Sequence, residues 1–343
     1  MSAAAPMVDS VGGDSVATRI SRFAKRNGWV IGLWILLAAL LVFTRIVQPN
    51  YGAAGISILV LAALPFAFAA AGQTVAIISG GIDLSIAAMI TLLSVSAAML
   101  MKGQSEEFGL VAVGAILLLG LGVGAINGLA IVLTRVPDIV VTLAFFFIWE
   151  GAALMVTANP DGSSAVWLRE LIIGTVGADF IPTTLSAWMP KALVLLVVAL
   201  GVVFIPLRRS RLGLSIYAIG SDRLAAFRSG VPVNRTRVVA YAIAGLFAAM
   251  AGLVITFNTG VGTPLQGPYL LASIAAVVLG GVSLAGGKGG FVGPIIAVII
   301  LRLVRQDLTF LSVDANLAGV IEGVIMVVVV LIGGVVAMRS RRS

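Results

Sequence analysis

Cysteine and histidine are absent from all 343 residues. Their absence removes disulfides, thiolate nucleophiles, imidazole metal ligands and the commonest proton shuttle together. Charge is scarce too: 10% of residues are charged and 60% hydrophobic, where a soluble domain carries about 25% charged residues. With a mean hydropathy of +1.15, the bilayer is the solvent for most of the chain. Aromatic residues make up only 7%, so the net charge of +8 has few stacking partners and gives nucleic-acid binding little support.

Those positive charges gather in RISRFAKR near the N-terminus, in the polar stretch 208–237, and in RSRR near the C-terminus. Clustered beside apolar spans, they mark the cytoplasmic side. A helix needs about 20 apolar residues to cross a bilayer. Ten segments qualify: Trp29–Val47, Ala53–Gly72, Gln73–Met101, Leu110–Leu133, Asp138–Thr157, Lys191–Leu207, Val238–Phe257, Tyr269–Gly286, Gly290–Arg305 and Leu317–Met338. Six spans before the 208–237 loop and four after it put all three basic clusters inside. Residues 158–190 then lie outside, with a short surface helix near Val166–Ile173. The expected fold is an all-α polytopic membrane protein. Residues 1–28 form a disordered cytoplasmic N-terminal tail, 29–338 a transmembrane domain, and 339–343 a cytoplasmic C-terminal tail. The first apolar run is too long for a cleaved signal peptide and no small-residue cleavage site follows it.

The 208–237 loop contains a complete short-helix signal. Ser221 can N-cap, Asp222 puts negative charge in the first turn and Arg228 positive charge in the last. Gly230 suits the left-handed C′ position and Pro232 blocks continuation. The helix spans Asp222–Ser229, with Leu224 and Phe227 on one side of it. Two readings stand at equal weight: a docking element, and an interfacial helix resting among lipid headgroups.

AIISGGIDLS at 76–85 matches AVVLGGVSLA at 276–285, aligning Gly80-Gly81 with Gly280-Gly281. In spans three and eight the copies are an odd number apart and run in opposite directions, which makes an inverted repeat. Paired glycines permit close approach or local unwinding. Tight packing is one reading of them; a lined pathway is the other, favoured slightly because Asp83 follows one break directly. Gly120, Gly124 and Gly128, spaced by four, serve helix packing. Asn127 offers a polar face, either to a pathway or as a bridge between helices.

The glycine-rich GGVSLAGGKGG is no phosphate loop, because Val282 and Gly289 stand where that pattern needs Gly and Ser or Thr. GLGVGAING lacks the final glycine of a dinucleotide fingerprint. With no nucleophile–base pair or metal cluster, a membrane enzyme is disfavoured. Ionisable residues within spans are functional candidates by default: Asp83, Glu150, Arg302, Arg305 and Glu322. Glu150 and Arg302 each lie twelve positions into spans running the same way, about 18 Å from the inner surface. Glu150 is therefore expected to pair with Arg302 or Arg305, with Glu322 nearby. Such a group serves either as a structural ion pair or as a polar pathway lining.

SGGIDLSIAAMITL, GAINGLAIVLTRVPDIVVTLAFFFIWEG, GLSIYAIGSDRLAAFRSGVPVNRTRVVAYAIAGLFAAMAG and LASIAAVVLGGVSLAGGKGGFVGP, in that order, resemble the ribose-type permease subunits of bacterial ABC importers. The resemblance covers about Gly52–Gly334. It implies a multi-pass inner-membrane subunit for a sugar or polyol, working with a second permease (the same or unlike), two ATP-hydrolysing subunits and a periplasmic binding protein. It implies ATP and Mg on the partner ATPase, and no cofactor or covalent chemistry on this chain. It also implies that Ser221, Asp222, Arg223, Leu224, Ala225, Phe227, Arg228 and Gly230 form the coupling helix. The translocation pathway is expected at Gly80, Gly81, Asp83, Asn127, Glu150, Gly280, Gly281 and Arg302. The chain departs from the family at Glu150, near which the family usually carries Arg, and at Arg305-Gln306, where the family has a polar pair. Import of branched-chain amino acids or another small polar solute is the related alternative, and an ion-coupled carrier using Asp83 and Glu150 the alternative from another class.

Overall fold

The computed structural model describes residues 16–177, 186–265 and 267–340. They form thirteen helices: α1 Val16–Val47, α2 Ala53–Ile78, α3 Ile86–Met101, α4 Phe108–Thr134, α5 Asp138–Val156, α6 Val166–Ile172 and α7 Lys191–Arg209, then α8 Arg211–Ser221, α9 Arg223–Arg228, α10 Val233–Thr259, α11 Tyr269–Leu279, α12 Val292–Phe310 and α13 Ala315–Ser340. Strand pairing among the described residues is limited to two isolated bridges. Six helices are long and apolar enough to cross a membrane: Gly28–Val47 of α1, α2, α4, α5, α7 and α10. Shorter apolar helices are Ile86–Met101, Tyr269–Leu279 and Ala315–Val329. Large apolar side chains such as Leu118, Phe147 and Val202 stand exposed on the outside of the bundle, as lipid-facing positions do.

α10 is the central helix, packed against α4, α2 and α3. Its seam with α4 is built from small residues. A Cβ on Gly124 would sit 2.2 Å from the Tyr241 carbonyl oxygen, and one on Gly245 2.1 Å from that of Gly120. Gly128 similarly abuts Val238. The four-residue glycine spacing thus lets two backbones touch, as read from the sequence. A second apolar cluster joins α1 to α12 through Leu33, Leu37, Ile296, Ile300 and Leu303.

Four expectations are corrected. α1 is helical from Val16, so the disordered tail does not extend over 16–28; its apolar run simply propagates helix backward through good helix formers. Residues 1–15 and 341–343 lie outside those described. No boundary falls between Gly72 and Gln73, because α2 continues unbroken to Ile78 and the interruption lies at 79–85. The stretch 208–237 also holds more than one helix, since α8 occupies Arg211–Ser221.

The fourth correction concerns the repeat. Phe66 lies midway along α2, and its ring stands 4.6 Å from that of Tyr269 at the start of α11. At their other ends, the Gly287 N–H following α11 donates to the Ile78 carbonyl that closes α2 (3.0 Å). The two helices therefore run side by side in the same direction into their glycine pairs. The matched segments thus close two parallel helices, and the expected inverted relation between them is not seen.

Candidate functional site

Both glycine pairs, the α8–α9 segment and the start of α10 meet at one end of the bundle. There a glycine stack forms. A Cβ on Gly80 would lie 3.4 Å from the Gly220 Cα, and one on Gly286 would lie 2.7 Å from the Gly220 carbonyl oxygen. Gly80 and Gly286 hold φ of 87° and 85°, a left-handed conformation that glycine adopts without steric cost. Gly220 itself faces the Ile78 carbonyl oxygen at 1.8 Å from its virtual Cβ. The close approach of α8 to both loops is legible only in three dimensions, and Gly220 and Gly286 were absent from the sequence candidates. Gly280 packs against Gly293 and Pro294, and Gly281 against Trp29, whose Nε1 donates to the Leu279 carbonyl (2.7 Å).

α9 protrudes beside this stack. Asp222, not Ser221, is its N-cap: the carboxylate accepts from the Ala225 N–H (2.9 Å), while the Ser221 hydroxyl donates back to the Tyr217 carbonyl (2.9 Å). Ser221 is already inside α8, so the charged side chain of the next residue takes the cap. Arg228 closes the last turn, and Gly230 follows with φ of 81°. Ala226 anchors the helix against Ile219 and Val233. Ala225 points outward, and Leu224 and Phe227 are 57% and 67% exposed, beside a hollow of about 580 Å³ that Pro232 and Asn234 also line.

Beneath the glycine stack sit two buried polar networks. Asp83 accepts from the Ser85 N–H (2.9 Å) and hydroxyl (2.5 Å). Asn127 donates to the Ser85 hydroxyl (2.7 Å) and accepts from Trp149 Nε1 (3.0 Å). In the orientation that satisfies it, the Gln73 carboxamide brackets the Asp83 backbone at 3.0 and 3.3 Å. Asp83 and Asn127 are both fully buried, so this network closes the break between α2 and α3. In the second, Asp138 accepts from Arg237 and from the Tyr241 hydroxyl (2.8 Å). Gly81 makes room for it, since a Cβ there would meet Asp138 Oδ2 at 2.2 Å. Sequence reading missed Asp138, Arg237 and Tyr241 because each sits at a helix start or on a long apolar helix with no spacing that marks a pair.

The intramembrane charges cluster elsewhere. Glu322 of α13 pairs with both Arg302 and Arg305 of α12, and the Arg302 guanidinium lies 4.0 Å over the Phe66 ring. The expected pairing of Glu150 with Arg302 or Arg305 does not form. α5, which carries Glu150, packs on α3 and α4, whereas α12 packs on α1, α2, α11 and α13. Depth arithmetic says nothing about which side of the bundle each residue occupies.

At the opposite end, Lys102 and Asp161 form an exposed pair at 2.7 Å. The bond from Lys102 and the Gly162 N–H lower the Asp161 carboxyl below its ordinary value. α6 is capped there by Glu106, which accepts from the Val166 N–H (2.7 Å).

Residues 55–330 match the family described as branched-chain amino acid transport system / permease component. The chain is 32% identical over 274 residues to the ribose import permease protein RbsC of Escherichia coli (strain K12), covering 78% of this chain and 81% of that one. Against RbsC of Bacillus subtilis (strain 168) it is 32% identical over 268 residues, covering 76% and 79%. Against the autoinducer 2 import system permease protein LsrD of Escherichia coli (strain K12) it is 30% identical over 309 residues, covering 89% and 92%. No solved structure matches the chain.

Proposed function

The chain belongs to the branched-chain amino acid transport system / permease component family, and from that premise we propose that it is the transmembrane permease subunit of an ATP-binding-cassette importer for a sugar or polyol. The ribose and autoinducer 2 permeases among its relatives favour that solute class over branched-chain amino acids. The subunit transports and does not itself hydrolyse ATP; ATP and Mg belong to the partner ATPase. The basic end of the bundle faces the cytoplasm, where Arg208, Arg209, Arg211, Arg223, Arg228 and Arg235 gather. Ten helices lie in the membrane in this reading, the six long ones joined by α3, α11, α12 and α13. α11 crosses only about half the bilayer, at 1.5 Å for each of its eleven residues. Non-helical chain at such depth is tolerated where it is buried in protein or lines a water-filled cavity, so residues 260–265 and the face of α12 bearing Arg302 are the assigned pathway lining. Asp83 and Asn127 support it by holding the α2–α3 break closed.

The observation that carries this reading is α9: a capped, anchored helix that holds two large apolar side chains out into the aqueous phase at the basic end. We assign it as the element that docks onto the ATPase. Copurification of the membrane-extracted protein with its ATPase is the test, comparing wild type with Leu224→Asp/Phe227→Asp. Each buried apolar side chain at such a contact contributes about 1.5–3 kcal/mol, so the double variant should lose the complex while remaining inserted and folded. An ATPase that never associates with the wild type would instead favour a carrier working alone on an ion gradient. The partner set also includes a periplasmic binding protein and a second permease subunit.

A further inference from the structure

A second hollow lies beside α9, at the level where α4 ends and α10 begins. It encloses about 640 Å³ between the α4–α5 turn, α9 and the first turn of α10. Three guanidiniums line it, those of Arg135, Arg223 and Arg237, against the single carboxylate of Asp138. Asp138 is already committed to Arg237 and Tyr241. Arg135 and Arg223 have no ion-pair partner among the described residues. Arg237 lines the hollow and is only 7% exposed. Three guanidiniums set against one committed carboxylate give the hollow an excess of positive charge that favours an anionic ligand.

The floor of the hollow identifies which anion. Leu133 and Val136 line it and are themselves exposed on the outside of the bundle, continuous with the apolar surface of α4. A ligand that fits presents negative charge to the arginines and hydrocarbon to that floor at once. We propose that this hollow is a site for the phosphodiester headgroup of an anionic phospholipid of the inner leaflet. Basic pockets between membrane helices on the cytoplasmic side bind such headgroups, and Arg is suited to them because its planar fork meets two phosphate oxygens together. Partial burial and the neighbouring Arg237 hold the Arg223 guanidinium below its ordinary value, in keeping with like charges that face one another across the hollow. Bound there, the lipid would tie Arg223 of α9 to Arg135 of the α4–α5 turn.

The full chain, purified in detergent, is titrated with short-chain phosphatidylglycerol, with phosphatidylcholine of equal chain length, and with inorganic phosphate, and thermal protection is read. Wild type should be protected by phosphatidylglycerol at concentrations where the other two do little. Arg135→Gln/Arg223→Gln should bind it about thirtyfold more weakly, from the ~1 kcal/mol that each arginine contributes near an anionic lipid. Both residues are exposed, so the variant folds, and its unliganded melting temperature checks that. Equal protection by phosphatidylcholine would overturn the headgroup assignment. Protection by phosphate alone, with nothing added by lipid, would overturn the lipid source. A variant that binds phosphatidylglycerol normally but releases the ATPase would mean that the arginines serve an acidic protein surface instead.

Discussion

Glu322→Gln is expected to destabilise the protein by about 3–5 kcal/mol, the cost of removing one partner from a buried ion pair. Glu322 is 7% exposed and accepts from two arginines, of which Arg302 is itself 10% exposed. The amide keeps the shape and removes the charge, which leaves two guanidiniums beside one another within the bundle. Arg305, 41% exposed, can turn toward water; Arg302, held over Phe66, cannot. Unfolding in a mixed-micelle denaturant series would measure the loss. Glu150→Gln is the matched control, because Glu150 forms no ion pair among the described residues, and it should shift the midpoint little. Equal losses from the two substitutions would mean that Glu322 does not bear the charge of Arg302 and Arg305.

Gly124→Val should be at least as damaging, for a reason that has nothing to do with charge. Overpacking a well-filled interior costs about 1–3 kcal/mol where side chains can shift. Here the obstacle is backbone: the first added carbon would already lie 2.2 Å from the Tyr241 carbonyl oxygen and 3.0 Å from Gly245 Cα. Neither atom has a rotamer to change, so α4 and α10 must separate along their whole contact. Gly122→Val, two residues away on the same helix, meets nothing within 4 Å and should fold normally. Monodispersity after detergent extraction distinguishes the two outcomes, and a monodisperse, full-yield Gly124→Val would refute the seam.

What could be read from the chain followed from the length of its apolar runs. Each of the ten expected spans falls largely on helix, six of them on helices long enough to cross a membrane, because a run of apolar residues in a bilayer has only helix as a way to satisfy its backbone. Boundaries inside a continuous apolar run were another matter. Gln73 and Thr74 looked like the edge of a span but are fully buried within α2, their polar groups met by neighbours rather than by water. That shift of one boundary moved Gly80-Gly81 from the third helix to the end of the second, and with it reversed the direction inferred for the repeat. α9 was legible because caps are local chemistry. α8 was not, since Arg211, Gly213 and Ser215 interrupt its apolar face. The Glu322 pairing and the Asp138–Arg237–Tyr241 network depend on which helices are neighbours, and periodicity within one segment carries no such information.

The glycine stack at Gly80, Gly220 and Gly286 determines how stiffly the two halves of the chain are linked. A contact between side chains yields under load, because each partner can rotate about its χ angles before its backbone moves. Where three backbones lie directly against one another, nothing is left to yield. α8 and α9 form nearly one piece, since Asp222 both follows the last residue of α8 and caps α9. A displacement of α9 would therefore be passed by backbone contact to the loops that follow α2 and α11. Any substitution that brings a flexible side chain into that junction would act as a spring placed in the drive train, storing displacement that otherwise passes straight to the membrane-spanning helices.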